Sequence, residues 1–192
     1  EVASTVNENL LVQYLLGIAK TDAERAYYLN FYLEGFRATL FRQTMFAEFE
    51  KLTHEAAERG EALTDEFLCE LYGDLNEKYQ GPAVEQDDFI RSEWSRIPHF
   101  YRAFYVYKYA TGFSAATAIA ARLLEGGADA VADYIRFLSM GDSDDPIELL
   151  KIAGVDMSRP EPVNDAMRTF AGLADELKVL VLKNKTALSG RI

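Results

Sequence analysis

The sequence has little cysteine and little positive charge. Its 192 residues contain 1 cysteine, Cys69, which excludes an internal disulfide and fits a reducing, cytoplasmic compartment. Lys and Arg number 20 against 31 Asp and Glu, so the net charge at pH 7 is −11. Nucleic acid is not expected as a partner, because phosphate binding requires a basic surface. Peptides and metal ions are compatible with this composition.

Long hydrophobic runs are also missing. No apolar run reaches the ~18 residues that cross a bilayer, and no charged segment followed by an apolar one marks a signal peptide. We therefore expect no membrane contact. With 192 residues, of which 49% are hydrophobic, the chain is large enough to bury a substantial core. No repeat or linker divides it, which predicts a single helical unit over 1–192.

Apolar residues recur at helical spacing along most of the chain. Helices are predicted over 1–19, 22–59, 65–79, 99–112 continuing through 113–127, 128–140, 146–154 and 163–183. No segment alternates apolar and polar residues as a half-buried strand does. The sequence thus predicts an all-α fold of about seven or eight helices.

Aromatic residues are concentrated in 91–112, where Pro98 predicts a break and the start of a new helix at His99. On that helix Tyr101, Tyr105 and Tyr109 would share one face, because they follow one another at i, i+4 and i+8. Tyr107 would lie off that face. Such a stripe is more often an aromatic packing surface whose hydroxyls reach solvent than a row that faces a substrate.

Candidate metal ligands are sparse. The two histidines, His54 and His99, show no H-E-x-x-H or other close ligand spacing. Glu1 and Glu8 are two turns apart, so both lie on one face of the first predicted helix. Two solvated glutamates near a helix N-terminus are the more common explanation of such a pair. The residues alone indicate only a helical domain with a tyrosine-lined face.

Four stretches of the chain, in this order, resemble the C-terminal part of the M3 family of zinc oligopeptidases, in its oligoendopeptidase F branch. They are EVASTVNENLL at 1–11, FYLEGFRATLFRQTMFAEFE at 31–50, DDFIRSEWSRIPHFYRAFYVYKYATG at 87–112 and SMGDSDDPIELLKIAGVDM at 139–157. The resemblance covers most of the chain. It implies the C-terminal part of a zincin-type helical catalytic domain.

The resemblance also implies roles for individual residues. Glu1 corresponds to the third zinc ligand of the family, and Glu8 to the glutamate that hydrogen-bonds a zinc-ligating histidine and fixes its tautomer. The family uses a histidine and tyrosines of the later helix to bind substrate and to stabilise the tetrahedral intermediate. The corresponding residues here are His99 and some of the four tyrosines. Tyr105 and Tyr107 are favoured, with His99, as catalytic groups, and Tyr101 and Tyr109 as substrate-binding groups. Which tyrosine stabilises the oxyanion is left open.

The function implied by the resemblance is a zinc metalloendopeptidase that hydrolyses internal bonds of short peptides. The H-E-x-x-H segment, which supplies two zinc ligands and the general base in the family, is absent. We therefore expect a C-terminal fragment that is inactive and retains no zinc alone. Its partner would be the upstream H-E-x-x-H-bearing polypeptide, and without that partner its exposed apolar surface would favour self-association. The alternative is a non-catalytic helical module that binds a peptide or a partner protein.

Overall fold

A computed structural model describes the backbone of residues 1–189 and the side chains of residues 1–183. This part of the chain forms eight α-helices: α1 (Val2–Ile18), α2 (Asp22–Gly35), α3 (Arg42–Glu58), α4 (Asp65–Gln80), α5 (Tyr107–Glu125), α6 (Gly127–Met140), α7 (Pro146–Ile152) and α8 (Glu161–Ser189). No strand occurs in it, so the predicted all-α fold of seven or eight helices is confirmed. None of its helices is long and apolar enough to span a membrane.

Shorter helical segments complete the backbone. The helix predicted over 22–59 is divided between α2 and α3 by a π-helical segment, Phe36–Phe41. Two 3-10 helices, Asp88–Arg96 and Pro98–Tyr101, lie between α4 and α5. A π-helical segment accommodates an additional residue in a helix, which a purely 3.6-residue periodicity does not indicate.

Local capping residues set the starts of three helices. The side chains of Thr21, Thr64 and Asp145 each accept a hydrogen bond from a backbone N–H two or three residues later, at the starts of α2, α4 and α7. Pro146 occupies the first turn of α7, where its missing N–H leaves no hydrogen bond unmade. These starts were predicted from the sequence.

The chain divides into two compact units. The first unit comprises Glu1–Arg37 and the chain from Thr111 onward, and the second comprises Ala38–Ala110. The chain passes from the first unit to the second within the π-helical segment and returns to the first unit within α5. No linker marks the passage in α5. The single helical unit expected over 1–192 stays a prediction.

Small residues of α5 lie at the centre of the first unit. Ala115 and Ala116 are fully buried and pack, together with Ile119, against Val6 of α1 and Tyr134 of α6. Alanine at these positions allows neighbouring helices to approach closely, because the separation of packed helices depends on the side chains at the contact. The first unit is therefore built around α5.

A buried hydrogen bond joins α1 to α2 in the first unit. The hydroxyl of Tyr32, which is 6% exposed, donates to Oδ1 of buried Asn9. The Asn9 amide in turn donates to the Thr5 carbonyl oxygen at 2.9 Å. Burial raises the pKa of the Tyr32 phenol to about 12. Both polar side chains are thus satisfied in the interior, which fixes α1 against α2.

A buried carboxylate, that of Glu93, is the polar centre of the second unit. Glu93 is 6% exposed and accepts hydrogen bonds from the Tyr72 hydroxyl at 2.7 Å, from Arg42 at 2.7 Å and from Arg96 at 2.5 Å. Burial alone would raise the pKa of the Glu93 carboxyl. The donors from Tyr72 and Arg42 outweigh burial, so its pKa lies below the usual value. Through this group α3 and α4 are joined to the 3-10 helix Asp88–Arg96.

Aromatic rings surround this polar centre. Phe49 of α3 packs edge-on against Tyr72, with ring centroids 5.3 Å apart, and its ring is tilted against that of Phe100 at 5.0 Å. The indole N–H of Trp94 donates to the Sγ of half-buried Cys69 at 3.4 Å. The only cysteine of the chain therefore packs within the second unit as a small apolar residue.

Replacing the Glu93 carboxylate tests how much this hydrogen-bond network contributes to the free energy of unfolding. Glu93→Gln should lower the free energy of unfolding at pH 7 by about 3 kcal/mol, because partly buried Arg42 loses its counter-charge. The pKa of Glu93 is lowered from 4.5, so its contribution is fully present above pH 4.5 and is lost as pH falls through the folded-state pKa. Urea denaturation at pH 7 and at pH 3 should show that the difference in free energy of unfolding between variant and wild type is smaller at pH 3.

The matched control for this variant is Arg96→Ala, since the Arg96 side chain is 73% exposed although it contacts the same carboxylate. It should change the free energy of unfolding by less than about 1 kcal/mol. Equal stabilities of Glu93→Gln and wild type at pH 7 would contradict the central role of Glu93.

Removing the Tyr32 hydroxyl should have a pH-dependent effect. Below pH 10, Tyr32→Phe should cost about 1–2 kcal/mol, because the buried Asn9 oxygen loses its donor. The folded-state pKa of about 12 lies above the usual 10.0, so the wild-type contribution is fully present below pH 10 and disappears as pH rises through 12. Guanidinium denaturation at pH 8 and pH 11 should therefore show that the free energy of unfolding falls less between these two pH values for the variant than for wild type. Tyr27→Phe, at an exposed tyrosine of α2, should behave as wild type does.

Candidate functional site

The predicted site residues fall into two groups, one in each unit. Glu1 and Glu8 belong to α1 in the first unit. The histidine and the tyrosines belong to the second unit, in the segment from Pro98 to the start of α5. These residues are His99, Tyr101, Tyr105, Tyr107 and Tyr109.

The carboxylates of α1 are presented to solvent. Glu1 is the N-cap residue of α1 and Glu8 follows two turns later, and both side chains are exposed. The Glu1 carbonyl oxygen accepts a hydrogen bond from the Ser4 hydroxyl at 2.8 Å. Val6 and Val12 of the same helix are buried. Helix α1 therefore places Val6 and Val12 in the core and leaves both carboxylates accessible.

The side chains that the structure describes do not fit a zinc ion by themselves. No group of three or more His, Cys, Asp or Glu that could hold a metal occurs among them. A protein zinc site takes four protein ligands, or three and a water molecule. Glu1 can provide one carboxylate oxygen to such a site.

The prediction of a helix that begins at His99 is wrong for the first half of residues 99–112. Pro98–Tyr101 is a single 3-10 turn, and α5 begins only at Tyr107. Tyr101 and Tyr105 therefore precede α5 and do not share a helix face with Tyr109. The stripe of tyrosines inferred from the i, i+4, i+8 spacing is not formed.

Contacts made by Phe104 explain the interruption. Phe104 has a φ of 59°, in the left-handed region that bulky residues rarely adopt. Its backbone N–H donates to Oε1 of Glu50 on α3 at 2.6 Å, and its ring lies 4.8 Å from the ring of His54. Such a backbone costs about 1–3 kcal/mol and persists only where the surroundings enforce it. A left-handed residue cannot continue a right-handed helix, so the chain cannot run helically from the turn Pro98–Tyr101 through Phe104 into α5.

The bend at Phe104 brings Tyr105 back to His99. The two rings are nearly parallel, at 17° and with centroids 5.8 Å apart. The ring of Tyr109 stands perpendicular to that of His99 at 5.5 Å, and its hydroxyl lies 3.2 Å from His99 Nε2. Tyr105 and Tyr109 are 5.7 Å apart. We call these three residues, His99, Tyr105 and Tyr109, the His–Tyr cluster.

The His–Tyr cluster can both hydrogen-bond and stack. Neutral imidazole offers one donor and one acceptor, and each phenol offers both. His99 and Tyr109 are half-buried, whereas Tyr105 is exposed. The ammonium group of Lys108 lies 5.2 Å from the centre of the Tyr105 ring and adds positive charge nearby. Such an arrangement can hold the carbonyl and N–H groups of an extended peptide.

The remaining two tyrosines are placed differently. Tyr101 is 77% exposed, and its hydroxyl donates to the Ser95 carbonyl oxygen at 3.0 Å. Tyr107 is the first residue of α5, with its side chain exposed. Their roles in substrate binding and catalysis stay predictions. Tyr105 and Tyr109, which were assigned different roles, are the two that lie against His99.

Two residues that shape this segment, Glu50 and Phe104, were missed by the sequence analysis. Glu50 could have been noticed, because it is an acidic residue in a predicted helix whose neighbours Phe46 and Phe49 are apolar. The left-handed conformation of Phe104 has no counterpart in the sequence, since phenylalanine gives no turn signal.

Comparison with known proteins gives consistent matches. The model of the family described as peptidase family M3 matches residues 1–169. Oligopeptidase PepF of Bacillus subtilis is 54% identical over 185 residues, which are 96% of this chain and 28% of that protein. The plasmid-encoded oligoendopeptidase F of Lactococcus lactis subsp. cremoris is 47% identical over 183 residues, 95% of this chain and 30% of that protein.

A solved structure agrees with these sequence matches. The crystal structure of oligoendopeptidase-F from Enterococcus faecium has a TM-score of 0.92 and 51% sequence identity, and the match covers 95% of this chain and 35% of that one. The chain thus spans about a third or less of the length of the proteins that it matches. On the family match over residues 1–169, and as its resemblance implied, the chain belongs to peptidase family M3.

Proposed function

We propose that this chain is the C-terminal part of a zinc metalloendopeptidase of the oligoendopeptidase F type, which hydrolyses internal bonds of short peptides. The observation that carries the proposal is the likeness to the Enterococcus faecium oligoendopeptidase-F, at 51% identity over 95% of this chain. The His–Tyr cluster, in which Tyr105 is exposed, supports it, because its donors, acceptors and aromatic faces suit a peptide. We also propose that the protein is located in the cytoplasm.

Helix α1 would supply carboxylates to the metal centre. Glu1 would be one zinc ligand, and Glu8 would accept a hydrogen bond from a histidine that binds the metal. Both carboxylates are exposed on α1, as those roles require. The histidine ligands and the general base would come from an H-E-x-x-H segment outside this chain. The chain alone would then hold zinc weakly and would not cleave peptides.

The exposed side of α1 and α2 supports contact with further polypeptide. Leu11, Tyr14 and Ile18 of α1 and Phe31 of α2 are each at least half exposed. Large apolar side chains that recur on two packed helices are typical of a surface that is covered in an assembly. The three residues of α1 follow Glu8 on the same helix, so a polypeptide that covers them would run next to the proposed metal ligands. Left uncovered, the same surface would favour self-association.

The His–Tyr cluster would act on the peptide itself. A hydroxyl or ring N–H aimed at the scissile carbonyl oxygen stabilises the negative charge that develops there. We assign this role to His99 and Tyr105, with Tyr107 as a further catalytic candidate. Tyr109 holds the His99 ring by its hydroxyl and, with Tyr101, would contact the bound peptide.

A second candidate function is a non-catalytic module that binds peptides. The exposed aromatic side chains of Tyr101, Phe104 and Tyr107 favour it, since they offer stacking surface around the His–Tyr cluster without any need for a metal. This alternative predicts peptide binding that is never followed by cleavage, even when an H-E-x-x-H segment is joined to the chain.

Zinc content tests the proposed metal centre. After metal-free dialysis the chain alone should retain far less than one zinc per molecule. A chimera in which the chain replaces the matching region of oligopeptidase PepF from Bacillus subtilis should retain one. Elemental analysis and cleavage of a quenched-fluorescence peptide are the measurements. Glu1→Gln in the chimera should lose both zinc and cleavage, because a neutral amide is a weak zinc ligand.

The matched control is Glu58→Gln at an exposed glutamate of α3, which should keep zinc and activity. Stoichiometric zinc on the chain alone would contradict the shared metal centre. Full zinc occupancy in Glu1→Gln would contradict the assignment of Glu1.

Phenylalanine substitutions test the tyrosines in the same chimera. Tyr105→Phe should lower kcat by about 100-fold with zinc retained, because one donor to the developing oxyanion is lost while the ring stays in place. Tyr107→Phe should behave likewise if that residue is the donor. Steady-state kinetics with zinc analysis measures both, and Tyr27→Phe should leave kcat and KM unchanged. A chimera that binds peptides and has one zinc but never cleaves would favour the binding module.

A further inference from the structure

The segment that carries Tyr105 is hydrogen-bonded, through the N–H of Phe104, to the buried side chain of Glu50. We propose that Glu50 of α3 is a positioning residue for the His–Tyr cluster: its carboxylate binds the N–H of Phe104 and so holds Tyr105 against His99. Glu50 would touch no substrate. This inference rests on the proposed function for its catalytic consequence, but its structural part stands on the contacts of the second unit alone.

Burial makes the hydrogen bond to Glu50 important. Glu50 is 5% exposed, and its helical neighbours Phe46 and Phe49 are part of the apolar core of the second unit. A carboxylate removed from water is tolerated only where hydrogen bonds replace its hydration. The N–H of Phe104 at 2.6 Å supplies such a bond. The N–H is therefore satisfied, and one oxygen of the buried carboxylate has a donor.

The same bond fixes an uncommon backbone. Phe104 has a φ of 59°, which L-residues other than Gly, Asn and Asp seldom adopt. Two contacts hold it there: its N–H binds Glu50, and its ring lies on His54, one turn after Glu50 on α3. Without the acceptor at Glu50, the backbone of Phe104 would relax to a negative φ.

Tyr105 follows Phe104 directly, so the φ of Phe104 sets the direction in which the Tyr105 side chain leaves the backbone. In the held conformation the Tyr105 ring stacks on His99 at 5.8 Å. Relaxation at Phe104 would move Tyr105 away. Tyr109 would be less affected, because α5 holds it independently of this bend. Loss of the Glu50 contact should thus remove one member of the His–Tyr cluster selectively.

The two histidines of the chain report on this segment. His54 lies against Phe104 and His99 against Tyr105, so aromatic ring currents shift both imidazole C–H signals in an NMR spectrum of the chain. Glu50→Met fills the same space without a strong acceptor, and should move both signals toward their positions in an unstructured peptide. Glu50→Gln retains an acceptor oxygen and should leave both signals in place. Glu58→Met, at an exposed position of α3, is the matched control.

A second substitution separates backbone strain from simple loss of packing. Glycine adopts the left-handed conformation without strain, so Phe104→Gly in the Glu50→Met background should restore the His99 signal. It should not restore the His54 signal, because the ring is gone. Phe104→Ala in the same background should restore neither.

Clear outcomes overturn the proposal. A Glu50→Met chain that is folded by far-UV circular dichroism and has an unshifted His99 signal would overturn it. If Glu50→Met does not fold, Glu50→Gln decides: a native His99 signal supports the proposal, and a signal at the unstructured position overturns it.

The catalytic consequence is measured in the chimera. Glu50→Met should lower kcat by about 100-fold with zinc retained, and should lower it no further when Tyr105→Phe is already present, because both changes remove the same donor. A moved His99 signal with unchanged cleavage would uphold Glu50 as a positioning residue and overturn the proposed role of the cluster. An unmoved signal would overturn the positioning role whatever the activity of the chimera.

Discussion

The second unit depends on the need of buried carboxylates to find donors. Glu93 lies in an aromatic interior and is held there by a phenol of α4 and by two guanidinium groups, one of which comes from α3. An ion in that position is strongly unfavourable unless each lone pair is bound, so the network fixes where the 3-10 helix Asp88–Arg96 can lie. The position of that helix determines where Ile97 enters the core and where the turn with His99 begins.

Glu50 meets the same need in a different way. Glu93 accepts hydrogen bonds from the Tyr72 phenol and from guanidinium groups, which together lower its pKa, whereas Glu50 binds a backbone N–H. A side chain that binds main chain constrains conformation more than it contributes charge. Glu93 lies within the first part of the segment from Asp88 to the first turn of α5, and Glu50 binds the last part at Phe104. Together they hold a stretch that contains 3-10 helices but no α-helix before α5.

Most of the helices could be predicted from the sequence, because their determinants are local. Thr21, Thr64 and Asp145 cap helices with hydrogen bonds to residues two or three positions away, and the apolar spacing of α1, α6 and α8 continues without a break. Glu1 caps α1 and Glu8 lies on it, at the start of a helix that the sequence predicted. The match to peptidase family M3 confirms the family resemblance, and the roles that this resemblance implies for individual residues stay predictions.

The segment from His99 to Tyr107 could not be predicted in this way. Its aromatic residues have helical spacing and contain no glycine or proline after Pro98, so local rules favour a helix. The contact that prevents one joins Phe104 to Glu50, 54 positions earlier in the chain. The resulting group differs from the predicted stripe: Tyr105 reaches His99 through a bend, and Tyr109 reaches it from α5. A single sequence does not report contacts at such separation.

The contact between Trp94 and Cys69 has a practical consequence for following this protein in solution. They are the only indole and the only thiol of the chain, they lie 3.4 Å apart, and both belong to the second unit. Tryptophan emission therefore monitors the second unit alone, and the adjacent sulfur makes it sensitive to any loosening there. Far-UV circular dichroism monitors the helices of both units. Coincidence or separation of the two signals during denaturation would show whether the units lose their structure cooperatively.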